Sequence, residues 1–362
     1  MSQDVMTPGR ETPRDSSEGR GRKRVRTRGQ RVRRVVLLTL VVLLLAGAGT
    51  GWWLYSHLDG NISSVDLDKA IGDNRPQKVV AGAQNVLVLG SDSRAGANGD
   101  LDHGDVSGAR SDTTMLIHIP EGRSKATAIS IPRDTLVTRP ECKDEDGKAV
   151  PSQKRVMFNS IFPVAGPACV VNTVEQMSGV RVDHFVVVDF AGFKGLVDAL
   201  GGVTVKLDKP IKGGLNLEAG EHRLNGTDSL KFVRTRHGYA DGSDLGRISL
   251  QQTFMMGLLK EIKNQDAFGN PARLYKLADA GTKSLTTDSD LASLTALADF
   301  AKSMKGVDPD TMETIMLPVA YDKVDKNRVV VAEPQATQLW DALRKDEKIP
   351  ASAKDSPAKG TG

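Results

Sequence analysis

About twenty consecutive residues, Val35 to Tyr55, carry no charge, and they follow directly on a run of arginines. A helix of that length matches the hydrocarbon thickness of a bilayer, and only a helix or a closed barrel can satisfy its backbone there. The stretch therefore predicts a transmembrane helix over residues 35–55. Up to Arg34 the chain carries eleven basic residues against four acidic ones, a net of +7; with +4 for the whole chain, the remainder is left at −3. Arginines on one side and Trp52, Trp53 and Tyr55 on the other place residues 1–34 in the cytoplasm, as a basic disordered tail. The body then lies outside. A cleaved signal peptide is the rival, since Ala46-Gly47-Ala48 resembles a cleavage site, but the apolar run and the basic segment are both long for one. A membrane span beside the basic run favours a topology signal over nucleic-acid binding, and no nucleic-acid partner is expected.

Beyond the membrane, residues 56–83 read as a stalk with a short helix at Val65–Ile71, and residues 349–362 as a disordered tail. Between them, over 84–348, apolar runs alternate with helical patterns. Asn85–Leu89, Thr114–Ile119, Ala126–Ile131, Phe185–Asp189 and Val203–Leu207 read as strands, with later ones at Thr314–Pro318 and Val329–Val331. Helices are expected at Val170–Ser178, Phe193–Leu200, after Leu224 with Thr227 or Asp228 as cap, and as a long amphipathic segment at Leu245–Ile262. Further helices are expected at Ala272–Ala280, Asp290–Met304 and Pro334–Leu343. This alternation predicts a single α/β/α layered extracytoplasmic domain around a mixed central sheet. The two cysteines, Cys142 and Cys169, fall in that oxidising compartment and suit one disulfide; no histidine is spaced to complete a metal site with them.

The segment Lys231–Gln252, KFVRTRHGYADGSDLGRISLQQ, is the densest in potential chemistry. Arg234, Arg236 and Arg247 are planar cations suited to phosphate, and Gln251 lies one helical turn beyond Arg247. Ligands of open α/β sheets bind beyond the carboxyl ends of strands, where this chain places Gly90-Ser91-Asp92-Ser93-Arg94 and Pro132-Arg133-Asp134-Thr135. Arg110-Ser111-Asp112-Thr113 precedes the next strand. Asp92 with Asp112 suits a magnesium ion, or manganese in its place, that keeps the rest of its shell for water and phosphate.

GSDSR, RSDT, ISIPRD, VDFAGFKGLVDALGGV, LNLEAGEHRLNG and FVRTRHGYADGSDLGRISLQQ, together and in this order, resemble the LytR-CpsA-Psr family of cell-wall enzymes. The resemblance implies a membrane-anchored transferase that moves a glycopolymer from a polyprenyl-pyrophosphate carrier onto peptidoglycan, at the muramic acid 6-hydroxyl, as a phosphodiester. It further implies that Asp92 and Asp112 hold the metal, and that Arg110, Arg133, Arg234, Arg236, Arg247 and Gln251 hold the pyrophosphate, with Arg94 as a further anion partner. Phe158, Phe162, Val187, Phe190 and Phe193 would line the prenyl channel. The chain departs from the family where a lysine commonly precedes an Asn-Ala-Ala-Tyr-like run: here Met157 and Phe158 precede Asn159-Ser-Ile-Phe162, with Lys154 and Arg155 nearby.

In phosphoryl transfer the metal and arginines neutralise charge on the leaving group while a carboxylate accepts the proton of the attacking hydroxyl. Asp134 and Asp244 are the candidate bases, with Arg247 as the central catalytic cation. Two other functions use the same residues: a pyrophosphatase that places water where the sugar would be, and a non-catalytic regulator that captures prenyl-phosphate lipid.

Overall fold

The computed structural model describes residues 28–91, 111–123, 125–144, 146–213, 215–235, 239, 244–264, 271–283, 285–304 and 306–360. Two compact units result, Met1–Leu54 and Tyr55–Gly362. Helix α1, Arg28–Asp59, makes up the described part of the first unit and lends its last turn to the second. Its Val35–Asp59 portion, of mean hydropathy 2.2, is long and apolar enough to cross a membrane. Thr39 and Thr50 return their hydroxyl protons to the carbonyls of Val35 (2.9 Å) and Ala46 (2.8 Å), so neither hydroxyl asks for a partner outside the helix.

In the second unit the chain runs through β1 (Ser63–Val65), α2 (Leu67–Ile71), β2 (Gln84–Ser91), β3 (Ser111–Ile119) and β4 (Thr127–Ser130). It continues through β5 (Thr135–Arg139), the short β6 (Cys142–Lys143) and β7 (Ala149–Val150), then β8 (Gln153–Met157) and α3 (Ile161–Ser178). Next come β9 (His184–Asp189), α4 (Phe190–Ala199), the ribbon β10 (Val203–Leu207) and β11 (Gly220–Leu224), α5 (Gly226–Arg234), α6 (Asp244–Asn264) and α7 (Pro271–Thr282). Last are β12 (Leu285–Asp288), α8 (Leu294–Ser303), β13 (Glu313–Met316), β14 (Val319–Tyr321), β15 (Val329–Val331) and α9 (Gln335–Arg344).

The central sheet has the order β1-β12-β9-β2-β3-β4-β13 and is mixed: β9 and β2 run parallel, while β3 is antiparallel to both β2 and β4. Alternation along its strands sends side chains to two separate cores. Leu87, Leu89, Leu116, Ile129, Phe185 and Val187 face one, shared with α3 and α9; Val86, Ile119 and Ala128 face the other, against Met256, Leu259 and Phe300 of α6 and α8. The three layers expected from the sequence are thus present. A third cluster forms where β10 and β11 meet α4, α5 and α6, through Val197, Val203, Val205, Phe232, Leu250 and Phe254.

Several elements differ from the sequence reading. The segment 56–83 is built into the domain: β1 pairs in parallel with β12 at the sheet edge. Residues 351–360, expected to be disordered, form two 3-10 turns, and Ala353, Ser356 and Ala358 are buried. Asn225, rather than Thr227 or Asp228, caps α5, its side chain accepting from the Asp228 amide at 2.9 Å. Helix α6 is not one-sided, because Ile248, Leu250 and Met256 serve three different clusters. Val203–Leu207 forms its own ribbon with β11 instead of joining the central sheet, and Val329–Val331 joins β14, β5 and β8 in a second, four-stranded sheet. The disulfide between Cys142 and Cys169 is formed, tying the β6–β7 ribbon to α3.

Candidate active site

Strand direction decides where the motifs meet. β2, β4 and β9 all point the same way, so Ser91, Ser130 and Asp189 close their carboxyl ends on one edge of the sheet. β3 starts at that edge. Its register against β2 passes from Gly90–Thr113 to Ser91–Ser111, which leaves Asp112 as the extra residue of a β-bulge beside Ser91. Asp92 follows Ser91 directly but, with Arg94, Arg110 and Arg236, lies outside the described residues; for Asp112 and Asp244 the backbone alone is described. The bulge sets the Asp112 backbone beside the end of β2. Among the described residues there is no group of three or more acids, histidines or cysteines able to hold a metal.

After β4 the chain turns sharply. The Thr135 amide and hydroxyl both donate to the Pro132 carbonyl, at 3.1 and 2.7 Å, which fixes the turn that presents Arg133 and Asp134. The Arg133 carbonyl accepts from the Asn159 amide at 3.1 Å, so the Asn159–Phe162 run is held against this turn. Arg133 Nε approaches Asp134 Oδ2 at 3.5 Å, and Arg328 Nη1 approaches Asp134 Oδ1 at 3.4 Å. Asp134 thus sits between two guanidiniums.

Helix α6 reaches the same edge: Gln252 Nε2 donates to Ser130 Oγ, at the end of β4, at 3.1 Å. One turn earlier Arg247 is buried, and Gln251 is buried with its Nε2 donating to the Val233 carbonyl of α5 at 3.2 Å. Gln251 therefore couples the two helices that carry the arginines. Arg234, at the end of α5, stays exposed and lies over the Phe190 ring at 4.7 Å; Phe190 follows Asp189, whose carboxylate caps α4 by accepting from the Gly192 amide at 2.7 Å.

Ser91 and Asp189 border a cavity of about 610 Å³, whose lining mixes Phe162, Pro163, Val187 and Leu285 with Asp144, Asp146 and Lys283. Of the five residues expected to line a prenyl channel, Phe162 and Val187 do border it. Phe158 is packed in the core, Phe190 lies beneath Arg234, and Phe193 stacks on Phe254 at 5.1 Å between ring centres. The structure thus brings Arg133, Asp134, Arg234, Arg247 and Gln251 to one sheet edge. Sequence reasoning missed Asp189, although its position before an apolar helix start is a capping signal, and it missed Arg328, which nothing in the local sequence marks.

The family profile described as LytR_cpsA_psr matches residues 54–345. Among curated relatives, the cell wall biosynthesis protein LcpA of Corynebacterium glutamicum is 33% identical over 294 residues, covering 72% of this chain and 55% of LcpA. The chain thus spans about half the length of that relative. The polyisoprenyl-teichoic acid–peptidoglycan teichoic acid transferase TagU of Oceanobacillus iheyensis is 30% identical over 287 residues, covering 76% of this chain and 82% of TagU. Among solved structures, TagT bound to LI-WTA superposes with a TM-score of 0.58 at 23% identity, covering 78% of this chain and 98% of TagT, a likeness of fold. The chain belongs to the LytR_cpsA_psr family.

Proposed function

We propose that this protein is a membrane-anchored phosphotransferase that moves a glycopolymer from a polyprenyl-pyrophosphate carrier to the muramic acid 6-hydroxyl of peptidoglycan. The observation that carries the reading is the placement of Arg133, Arg234, Arg247 and Gln251 at one sheet edge, on which Ser91 and Asp189 border a cavity of about 610 Å³. Phe162, Pro163, Val187 and Leu285 in its lining suit a hydrocarbon chain, and the arginines gathered at the sheet edge suit a phosphate head. TagU, a polyisoprenyl-teichoic acid–peptidoglycan teichoic acid transferase, and TagT, bound to LI-WTA, fit the same class of substrate. Helix α1 anchors the enzyme, with the arginine-rich segment on the cytoplasmic side.

In this scheme the arginines hold the pyrophosphate and neutralise the leaving prenyl phosphate. The sugar hydroxyl oxygen bonds to the glycan-bearing phosphorus, the bond from that phosphorus to the prenyl phosphate breaks, and the hydroxyl proton passes to a carboxylate. Asp134, engaged by Arg133 and Arg328, positions Arg133; Asp244, at the start of α6, is the proton acceptor. Asp92 and Asp112 would hold magnesium, which supplies further charge neutralisation at the phosphates.

The test is transfer by the purified chain from a lipid-pyrophosphate donor to peptidoglycan. Arg247→Ala is expected to abolish the phosphodiester product while circular dichroism stays unchanged; retained turnover would remove Arg247 from the site. Free phosphorylated glycan as the sole product of the parent chain would identify a hydrolase instead.

A further inference from the structure

On the other side of the first turn of α3 from this cavity lies a second, open basin of about 450 Å³, and Val164 borders both. Its floor comes from β5 and β8, and Asp325 and Arg328 of the β14–β15 connection form one rim. Arg139 lies in this floor at 7% exposure. Its Nη2 donates to the Pro151 carbonyl at 2.8 Å and reaches Gln153 Oε1 at 3.5 Å, while its Nε is buried with no hydrogen bond. Among the described residues no carboxylate pairs with it. A guanidinium withdrawn from water without an anion is costly to keep, so its retention needs an explanation.

Two further features single out the basin. The register of β5 on β8 slips between Val137–Val156 and Arg139–Gln153, so Lys154 and Arg155 form a bulge, and Arg155 takes a φ of 56°, a strained value for a side-chain-bearing residue. The bulge aims Arg155 along the basin rim, where Asp322 holds its guanidinium at 3.0 and 3.3 Å. Arg328 joins the basin to the candidate active site through Asp134.

We propose that this basin binds the acceptor strand, with Arg139 taking a carboxylate of its peptide and Arg155 supporting it from the rim. The assignment rests on the transferase reading: if the donor lipid fills the cavity on one side of Val164, an anion on the other side belongs to the second substrate. A peptide carboxylate is planar and matches the two-pronged donor set of arginine, whereas a disaccharide whose lactyl carboxyl is capped as the simple amide offers no such group.

Binding by the detergent-solubilised full chain is measured for three probes: a disaccharide-pentapeptide, the same disaccharide without peptide and with its lactyl carboxyl capped as the amide, and geranylgeranyl pyrophosphate. Arg139→Gln and Arg155→Gln are each expected to weaken pentapeptide binding about tenfold or more, leaving the pyrophosphate probe unaffected. Should Arg139→Gln melt far below the parent, Arg155→Gln, on an exposed side chain, decides. Unchanged pentapeptide affinity in the variants, or equal affinity of the parent for the peptide-free disaccharide, overturns the proposal. A parent chain that ignores geranylgeranyl pyrophosphate overturns the transferase reading, and the pentapeptide titration then judges the basin by itself.

Discussion

Arg75 grips Glu175 with Nε and Nη2, the shortest contact being 2.8 Å, although 100 residues separate them and the Glu175 side chain is fully buried. The same Nη2 donates to the Val182 carbonyl at 2.7 Å, and Glu175 Oε1 accepts from the Val182 amide at 2.9 Å. The segment that leads from α1 is thereby fastened to α3 and the start of β9. Arg75→Ala strands a buried carboxylate and is expected to cost about 3–5 kcal/mol, whereas replacing both partners, Arg75→Met with Glu175→Leu, recovers only part of it, because the buried Val182 amide and carbonyl lose their partners. Denaturant unfolding of the two variants checks this.

Gly257→Ala is expected to destabilise the protein although alanine favours helices. A Cβ at Gly257 would lie 2.4 Å from the Thr204 carbonyl oxygen, where α6 crosses β10. Overpacking against backbone costs about 1–3 kcal/mol, more than the gain of about 1 kcal/mol in helix propensity. A lowered melting temperature is the readout; an unchanged or raised one would show that α6 can move away from β10.

Replacing Cys142 and Cys169 together by alanine opens a loop of 27 residues. Chain entropy alone puts the loss at about 3.5 kcal/mol. The loop between them also brings Asp144 and Asp146 to the border of the larger cavity. Unfolding curves with and without reductant are expected to separate for the parent and coincide for the double variant.

Acid stability depends on Asp322. The Arg155 guanidinium beside it, helped by the Asp325 and Val324 amides, holds its carboxyl down at about 2 from the ordinary 3.8. Because the folded value is the lower one, this contribution is complete above the unfolded pKa of 3.8 and is lost as pH falls through the folded value of about 2. Melting temperatures over that window are expected to fall less steeply for Asp322→Asn than for the parent.

How much of this was legible in the sequence varies with the range of the interaction. β2, β3 and β9 announced themselves because strands covered on both faces read as apolar runs. β8 did not: Gln153, Lys154 and Arg155 look like a solvated loop, and only pairing with β5 across the bulge makes them a strand. β1 is equally silent, three residues that become a strand because β12, far along the chain, runs beside them. In the candidate site Arg133, Arg234 and Arg247 were readable as cations at a strand end, a helix end and a helix start. Their supports, Arg328 on Asp134 and Ser130 under Gln252, were not, since each pairing joins elements distant in sequence.

Ser356 offers a final consequence. Its hydroxyl oxygen accepts from the Val319 amide at 3.1 Å and donates to the Val319 carbonyl at 2.9 Å, taking the place of a neighbouring strand along β14, the outermost member of the four-stranded sheet. An uncovered edge of that kind is a template for another chain's backbone. The segment after Ile349 is therefore expected to guard this edge against self-association, so that a chain cut there loses solubility before it loses its fold, which light scattering alongside circular dichroism checks.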